Sequence, residues 1–264
     1  MNQIIYPMKV LAVKLDYLRQ RLECISHGHY KTAKGQQYVV IDYDPENPRY
    51  DSRHPRVVAC NTKLGQELAK KVNEYSEVEK QYKDLLVIWN STYKLAPPRV
   101  EFPIIQYYDT HKMNNAYFCN SQDRCGKYLA ENPTVSDHGE LKSKNEQIGA
   151  DLLKLMGIPF KYETELYLES IEQKINPDYL INFYEIDRCA YLEILGMNDK
   201  ANYSANTAVK INGFSRDCYR PGREVIYVIL YDKQNFDEDY FVSQVLSAFN
   251  DMIPDSAIKW GNCG

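Results

Sequence analysis

No apolar run in this chain approaches the roughly 18 consecutive residues that a membrane-spanning helix requires. A membrane-embedded protein is thereby excluded from the expectations. Excess positive charge is also missing: 32 Lys and Arg against 36 Asp and Glu give a formal net charge of −4. No global field draws the chain to nucleic acid, so binding a polyanion would take local basic patches, metal ions, or both. Cysteine is present without pattern. The seven residues at 24, 60, 119, 125, 189, 218 and 263 are odd in number and scattered, with no signal peptide in front. That usage fits reduced thiols in the cytoplasm rather than a disulfide framework. Cys119 and Cys125 have no second pair and no nearby His at zinc-site spacing, which argues against a structural zinc. Tyrosine, by contrast, is abundant at 23 copies. Most are expected to pack with a wet hydroxyl, and some could stack on bases.

The first half reads as mainly helical with a small β-ribbon. Leu11, Leu15, Leu18, Leu22 and Ile25 form a heptad-like stripe that predicts a helix over about residues 8 to 25. Ser26 to Tyr30 read as a solvated turn. Residues 36–43 and 56–60 read as two short strands joined by a turn-rich stretch. From Thr62 a second striped helix runs through Leu64, Leu68, Val72, Tyr75, Val78, Tyr82, Leu85 and Trp89, to be ended by Pro97-Pro98. The two helices are expected to fold on each other or to pair with those of a second subunit in a homodimer. Residues 99–139 read as a connector with one strand, about 100–107.

The second half changes character. Residues 142–156 predict an amphipathic helix with Ile148, Leu152, Leu153 and Met156 on its apolar face, stopped by Gly157 and Pro159. Residues 160–168 alternate as one strand with Glu163, Glu165 and Tyr167 on a single face. Residues 178–183 and 189–195 form a hairpin about a turn at 185–188. Asn198 and Asp199 cap a helix to about Lys210, with Tyr203, Asn206 and Lys210 on one face. Residues 225–231 read as a buried strand and 238–252 as a final helix packed through Phe241, Val245, Leu246 and Phe249. The whole reads as an α+β or α/β protein, with residues 1–135 as an interaction or substrate-binding region and 136–264 as a mixed sheet flanked by helices.

Asp178 opens one strand of the hairpin and Glu193 lies near the end of its partner, so both reach the same end of the sheet. Two such carboxylates repel, and ionise together cheaply only around a cation. Oxygen-only ligation suits Mg²⁺ or Mn²⁺, which lowers the pKa of bound water and polarises a phosphoryl oxygen. Glu146 can orient water or complete a second ion's shell, and a nearby lysine can offset developing charge. Each acid alone is most simply solvated; the ordered set carries the signal.

Gly139-Glu140, Ser143-Lys144, Glu146, Gly157-Ile-Pro159, Tyr162-Glu163, Pro177-Asp178, Glu193, Gly196-Met197, Tyr203 and Lys210 follow one another in an order that resembles the PD-(D/E)XK nuclease superfamily. The resemblance covers residues 138 to about 235 and is closest to a bacterial and phage branch. It implies a restriction-endonuclease-like fold with Asp178 and Glu193 as metal ligands on adjacent central strands, and Glu146 as the helix acid. Glu163 is a further candidate ligand. The superfamily's common pattern has a Lys two residues after the second acid, and Leu195 stands there instead. Lys210 on the following helix is the natural replacement and Lys144 its competitor. Lys144, Tyr203 and Asn206 are candidate substrate contacts. The expected activity is Mg²⁺- or Mn²⁺-dependent hydrolysis of nucleic acid, DNA before RNA. The alternative is a catalytically silent nucleic-acid-binding or anti-defence interaction protein that keeps the fold.

Overall fold

The computed structural model describes residues 4–102, 111–124, 126, 134–136, 139–196, 201–230 and 236–260, and for 134–136 and 201–204 the backbone alone. The chain begins α1 (Met8–Cys24), β1 (His27–Ala33), β2 (Gln36–Tyr43), β3 (Arg56–Ala59), α2 (Lys63–Thr92), β4 (Arg99–Val100) and α3 (Asn115–Asn120). It continues β5 (Thr134–Ser136), β6 (Gly139–Leu141), α4 (Lys144–Leu155), β7 (Phe160–Tyr162), β8 (Leu166–Leu168), β9 (Gln173–Ile175) and β10 (Tyr179–Phe183). The last elements are β11 (Arg188–Leu195), α5 (Ala201–Arg216), β12 (Val225–Ile229), α6 (Glu238–Met252) and β13 (Ile258–Lys259). Helices and several sheets are mixed throughout, as in an α+β protein. No helix among the described residues is long and apolar enough to cross a membrane, and no disulfide joins Cys24, Cys60, Cys119, Cys189 and Cys218. Cys125 and Cys263 lie outside the described residues. The chain divides into two compact units, Leu11–Glu101 with Ile258–Gly264, and Met1–Val10 with Phe102–Ala257.

In the first of these, β1, β2 and β3 form an antiparallel sheet. The turn expected at Ser26 to Tyr30 is a correction: His27 begins β1 instead. Its polar sequence has no alternation to read, and pairing with β2 through the Lys34-Gly35 turn, both residues at positive φ, makes it a strand. Thr62 caps α2 by accepting from the Gly65 N–H at 3.0 Å. Leu68 and Val72 of α2 then bury against Val39 and Ile41. The helix closes at Thr92, ahead of Pro97-Pro98, with Lys94 at φ 53°. Trp89 is fully buried and its indole N–H donates to the Leu95 carbonyl at 2.5 Å. On α1 the striped residues Leu11, Leu15 and Leu18 are buried, but so are Val13, Lys14 and Asp16. The Asp16 carboxylate accepts from Arg19 at 2.6 Å and Gln20 at 2.7 Å, which satisfies it.

The other unit is built on a four-stranded mixed sheet, ordered β12-β11-β10-β7. β7, β10 and β11 are antiparallel in turn, and β12 lies parallel to β11. A parallel neighbour requires a crossover, and α5 supplies it. Alternate positions of β10 face opposite ways. Phe183 stacks on Phe249 of α6 with ring centres 4.4 Å apart, whereas Leu180 joins Phe214 of α5 in a cluster with Leu166, Leu168 and Tyr191. Burying rings of this size is worth about 2 kcal/mol each. α4 is capped by Ser143 and stopped by Gly157 at φ 65°, the stop that the sequence predicts, and α6 is capped by Asp237.

Three expectations are corrected here. Residues 160–168 are two strands, because Glu163 adopts φ 47° and ends β7; it is buried, while Glu165 and Tyr167 are exposed. The alternation that suggested one strand survives in Tyr162, Thr164, Leu166 and Leu168, all buried, so the pattern conceals the break. α5 runs six residues past Lys210, far enough to bury Phe214. The connector contains α3, capped by Asn114. Most of the strand expected over 100–107, and the Asn198-Asp199 cap, lie outside the described residues.

Candidate functional site at the start of the central hairpin

The hairpin register pairs Tyr179 with Leu192, so one step further sets Asp178 across from Glu193. Asp178 Oδ2 accepts from the Ile194 N–H at 2.6 Å, and its carbonyl accepts from the Glu163 N–H at 3.1 Å. Glu193 is 3% exposed. Burial pushes the Asp178 carboxyl well above the ordinary carboxylate range, and the charges of Glu193 and Glu146 push it the same way. Burial also raises Glu193; Lys210 pulls it down, and Glu146 and Glu163 push it up. Asp178 and Glu193 thus both feel Glu146 and Lys210, and Glu193 feels Glu163 as well.

Each of the other acids has a committed partner. Lys210 Nζ lies 3.1 Å from Glu193 Oε1 and 3.2 Å from Oε2. Glu163 forms an ion pair with Lys142, and a Cβ at Gly126 would come within 2.0 Å of its Oε2, so any larger residue there would displace this carboxylate. Glu146 occupies the third position of α4. Ser143 Oγ accepts from its N–H at 3.2 Å and donates to its Oε1 at 3.0 Å. Its Oε2 accepts from the Lys142 N–H at 3.0 Å and from the Tyr162 hydroxyl. This is a variant of the capping box in which the carboxylate takes the N–H of Lys142, one residue before the cap, together with the Ser143 hydroxyl. The Tyr162 hydroxyl is pushed up by burial and by Glu146, so it serves as a donor. The Tyr179 hydroxyl donates to the Glu146 carbonyl, tying α4 to β10.

Of the sequence-predicted site residues, Glu146, Asp178, Glu193, Glu163 and Lys210 meet here. Lys144 and Asn206 are exposed, and the Tyr203 side chain lies outside the described residues. Glu165 points away, paired with Lys174 at 2.7 Å. Lys142 and the Tyr162 hydroxyl were not singled out from sequence. A readable signal for Lys142 existed: it directly precedes a Ser-x-x-Glu box, which fixes its backbone beside the box's acid.

A hard divalent ion is commonly held by one or two carboxylates, with water and substrate phosphate completing its shell. Asp178 and Glu193 fit that requirement. They are oxygen donors on adjacent strands, they are desolvated, and their mutual repulsion is relieved by a cation between them. Among the described residues, no group of three or more His, Cys, Asp or Glu side chains is arranged to hold a metal ion. The fit is therefore to two carboxylates, with both Glu146 oxygens already bonded. No family model, curated protein or solved structure matches the chain.

Proposed function

We propose that the chain is a metal-dependent nuclease of the PD-(D/E)XK type, hydrolysing phosphodiester bonds of nucleic acid, with DNA the first substrate. The observation that carries this reading is the apposition of half-buried Asp178 and buried Glu193 across the hairpin, with Lys210 reaching Glu193 from the following helix. Supporting it, α4, β7, β10, β11 and α5, which carry or adjoin Glu146, Glu163, Asp178, Glu193 and Lys210, follow one another along the chain with the β8–β9 ribbon inserted after β7.

Asp178 and Glu193 would hold Mg²⁺ or Mn²⁺, which supplies a Lewis acid and a water of lowered pKa. The Ile194 N–H fixes the Asp178 carboxylate, and the capping box and Tyr162 fix Glu146, so neither acid reorganises during reaction. Lys210 offsets negative charge developing at the phosphate. The test is cleavage of plasmid and single-stranded DNA with Mn²⁺. Asp178→Ala and Glu193→Ala should each lower the rate by at least about 10²-fold. Activity unchanged in both variants ends this reading.

One observation favours a second reading. Lys210 and Lys142 already neutralise Glu193 and Glu163 within the chain, so two of the four acids are answered by lysines rather than by a metal ion, as in a silent binding or anti-defence interaction protein. Salt-dependent binding of nucleic acid with no turnover under any divalent ion would decide for it.

A further inference from the structure

Glu193 is sealed from solvent, and the charge that answers it comes from a mobile type of group. The Lys210 ammonium is set almost evenly between both carboxylate oxygens, at 3.1 and 3.2 Å. A cation that engages the carboxylate through both oxygens approaches from that same direction. The Lys210 side chain retains 34% exposure, against 3% for Glu193. Its four-carbon stem leaves the ammonium free to exchange partners without disturbing the backbone of α5. Asp178, opposite, accepts from the Ile194 amide and presents a second carboxyl group to the same space. An ammonium and a divalent ion cannot both sit on the two oxygens of Glu193, because like charges at such separations repel strongly in a buried setting.

We propose that Lys210 is an exchangeable internal counter-ion. It holds Glu193 until a divalent cation takes that carboxylate, and the released ammonium then turns to the substrate phosphate. This rests on the nuclease reading above, and it makes Lys210 a competitor of the metal as well as a helper of the reaction.

The consequence is unusual for a site residue: removing it improves cation binding. Calorimetric titration of the full chain with Mn²⁺ alone reads this without any turnover. Lys210→Met should tighten Mn²⁺ binding about tenfold, whereas Lys210→Arg, which keeps the charge and grips both oxygens at once, should weaken it. Lys154→Met, exposed in the last turn of α4, should leave it unchanged. Circular dichroism of each variant confirms folding, and the opposed directions of Met and Arg keep the result interpretable if one is impaired. Equal or weaker Mn²⁺ binding by Lys210→Met, with wild type binding normally, overturns the counter-ion role and leaves the nuclease reading standing. Absence of Mn²⁺ binding in wild type and in Lys210→Met overturns both.

Discussion

Asp178 accepts a 2.6 Å hydrogen bond from the backbone N–H of Ile194, the residue that follows Glu193. The acid that opens β10 is thus fixed to the strand that bears the other acid, and it cannot swing away from its like charge. Burial and Glu193 together raise its proton affinity. The folded state then keeps a proton that the unfolded state has released. Metal-free stability should fall as pH rises through the window between the ordinary aspartate value and the raised one. Asp178→Asn keeps an oxygen for Ile194 and removes that cost. Thermal melts in chelator from about pH 4 to about pH 8 should show the variant more stable than wild type at neutral pH and converging with it in acid. Parallel curves would show that Asp178 ionises freely.

Lys142→Met leaves the Glu163 carboxylate buried without its cation. The expected loss is about 3 kcal/mol in urea unfolding, most of it recovered when Glu163→Gln is added. A loss that the second substitution does not repair would place the effect in the Lys142 stem, not its charge.

Ser143 serves two ends of one box, accepting from the Glu146 amide and donating to its carboxylate. Ser143→Ala should cost about 1 kcal/mol in global stability. If the box also orients Glu146, Mn²⁺-dependent cleavage falls while the stability change alone, measured at the same temperature, leaves the protein folded.

Gly213 of α5 lies against the β8–β9 ribbon, where a Cβ would meet Leu168 Cδ1 at 2.9 Å and Ile171 Cδ1 at 3.0 Å. Gly213→Val should destabilise by about 2 kcal/mol through overpacking. Because Lys210 is carried one turn earlier on the same helix, its pairing with Glu193 should loosen too, visible as a change in Mn²⁺ affinity. An unchanged melting temperature would mean that the ribbon yields.

What the sequence made legible was local. The stop at Gly157, the spans of α6 and of the β10–β11 hairpin, and the serial order of Glu146, Asp178, Glu193 and Lys210 rest on periodicity and turn chemistry within short windows. What it concealed depends on pairing across distance. β1 is a strand only because β2 lies beside it, and its His-Gly-His-Tyr start carries no apolar alternation. Glu163 kept the spacing of an alternating strand while its backbone left that strand. The box after Lys142 places its backbone, but its ion pair stayed hidden because the carboxylate it meets is 21 residues away.

The break at Glu163 has a consequence for how the site is tuned. Its amide bonds to the Asp178 carbonyl, so the chain leaves the acidic cluster, makes a detour through β8 and β9, and returns to its point of departure. The outer part of that detour, at Leu168 and Ile171, rests on the helix that carries Lys210. The loop therefore lies beneath the helix from which Lys210 reaches Glu193. Drift in its packing would be felt as a change in charge balance, with every ionisable side chain of the cluster left in place.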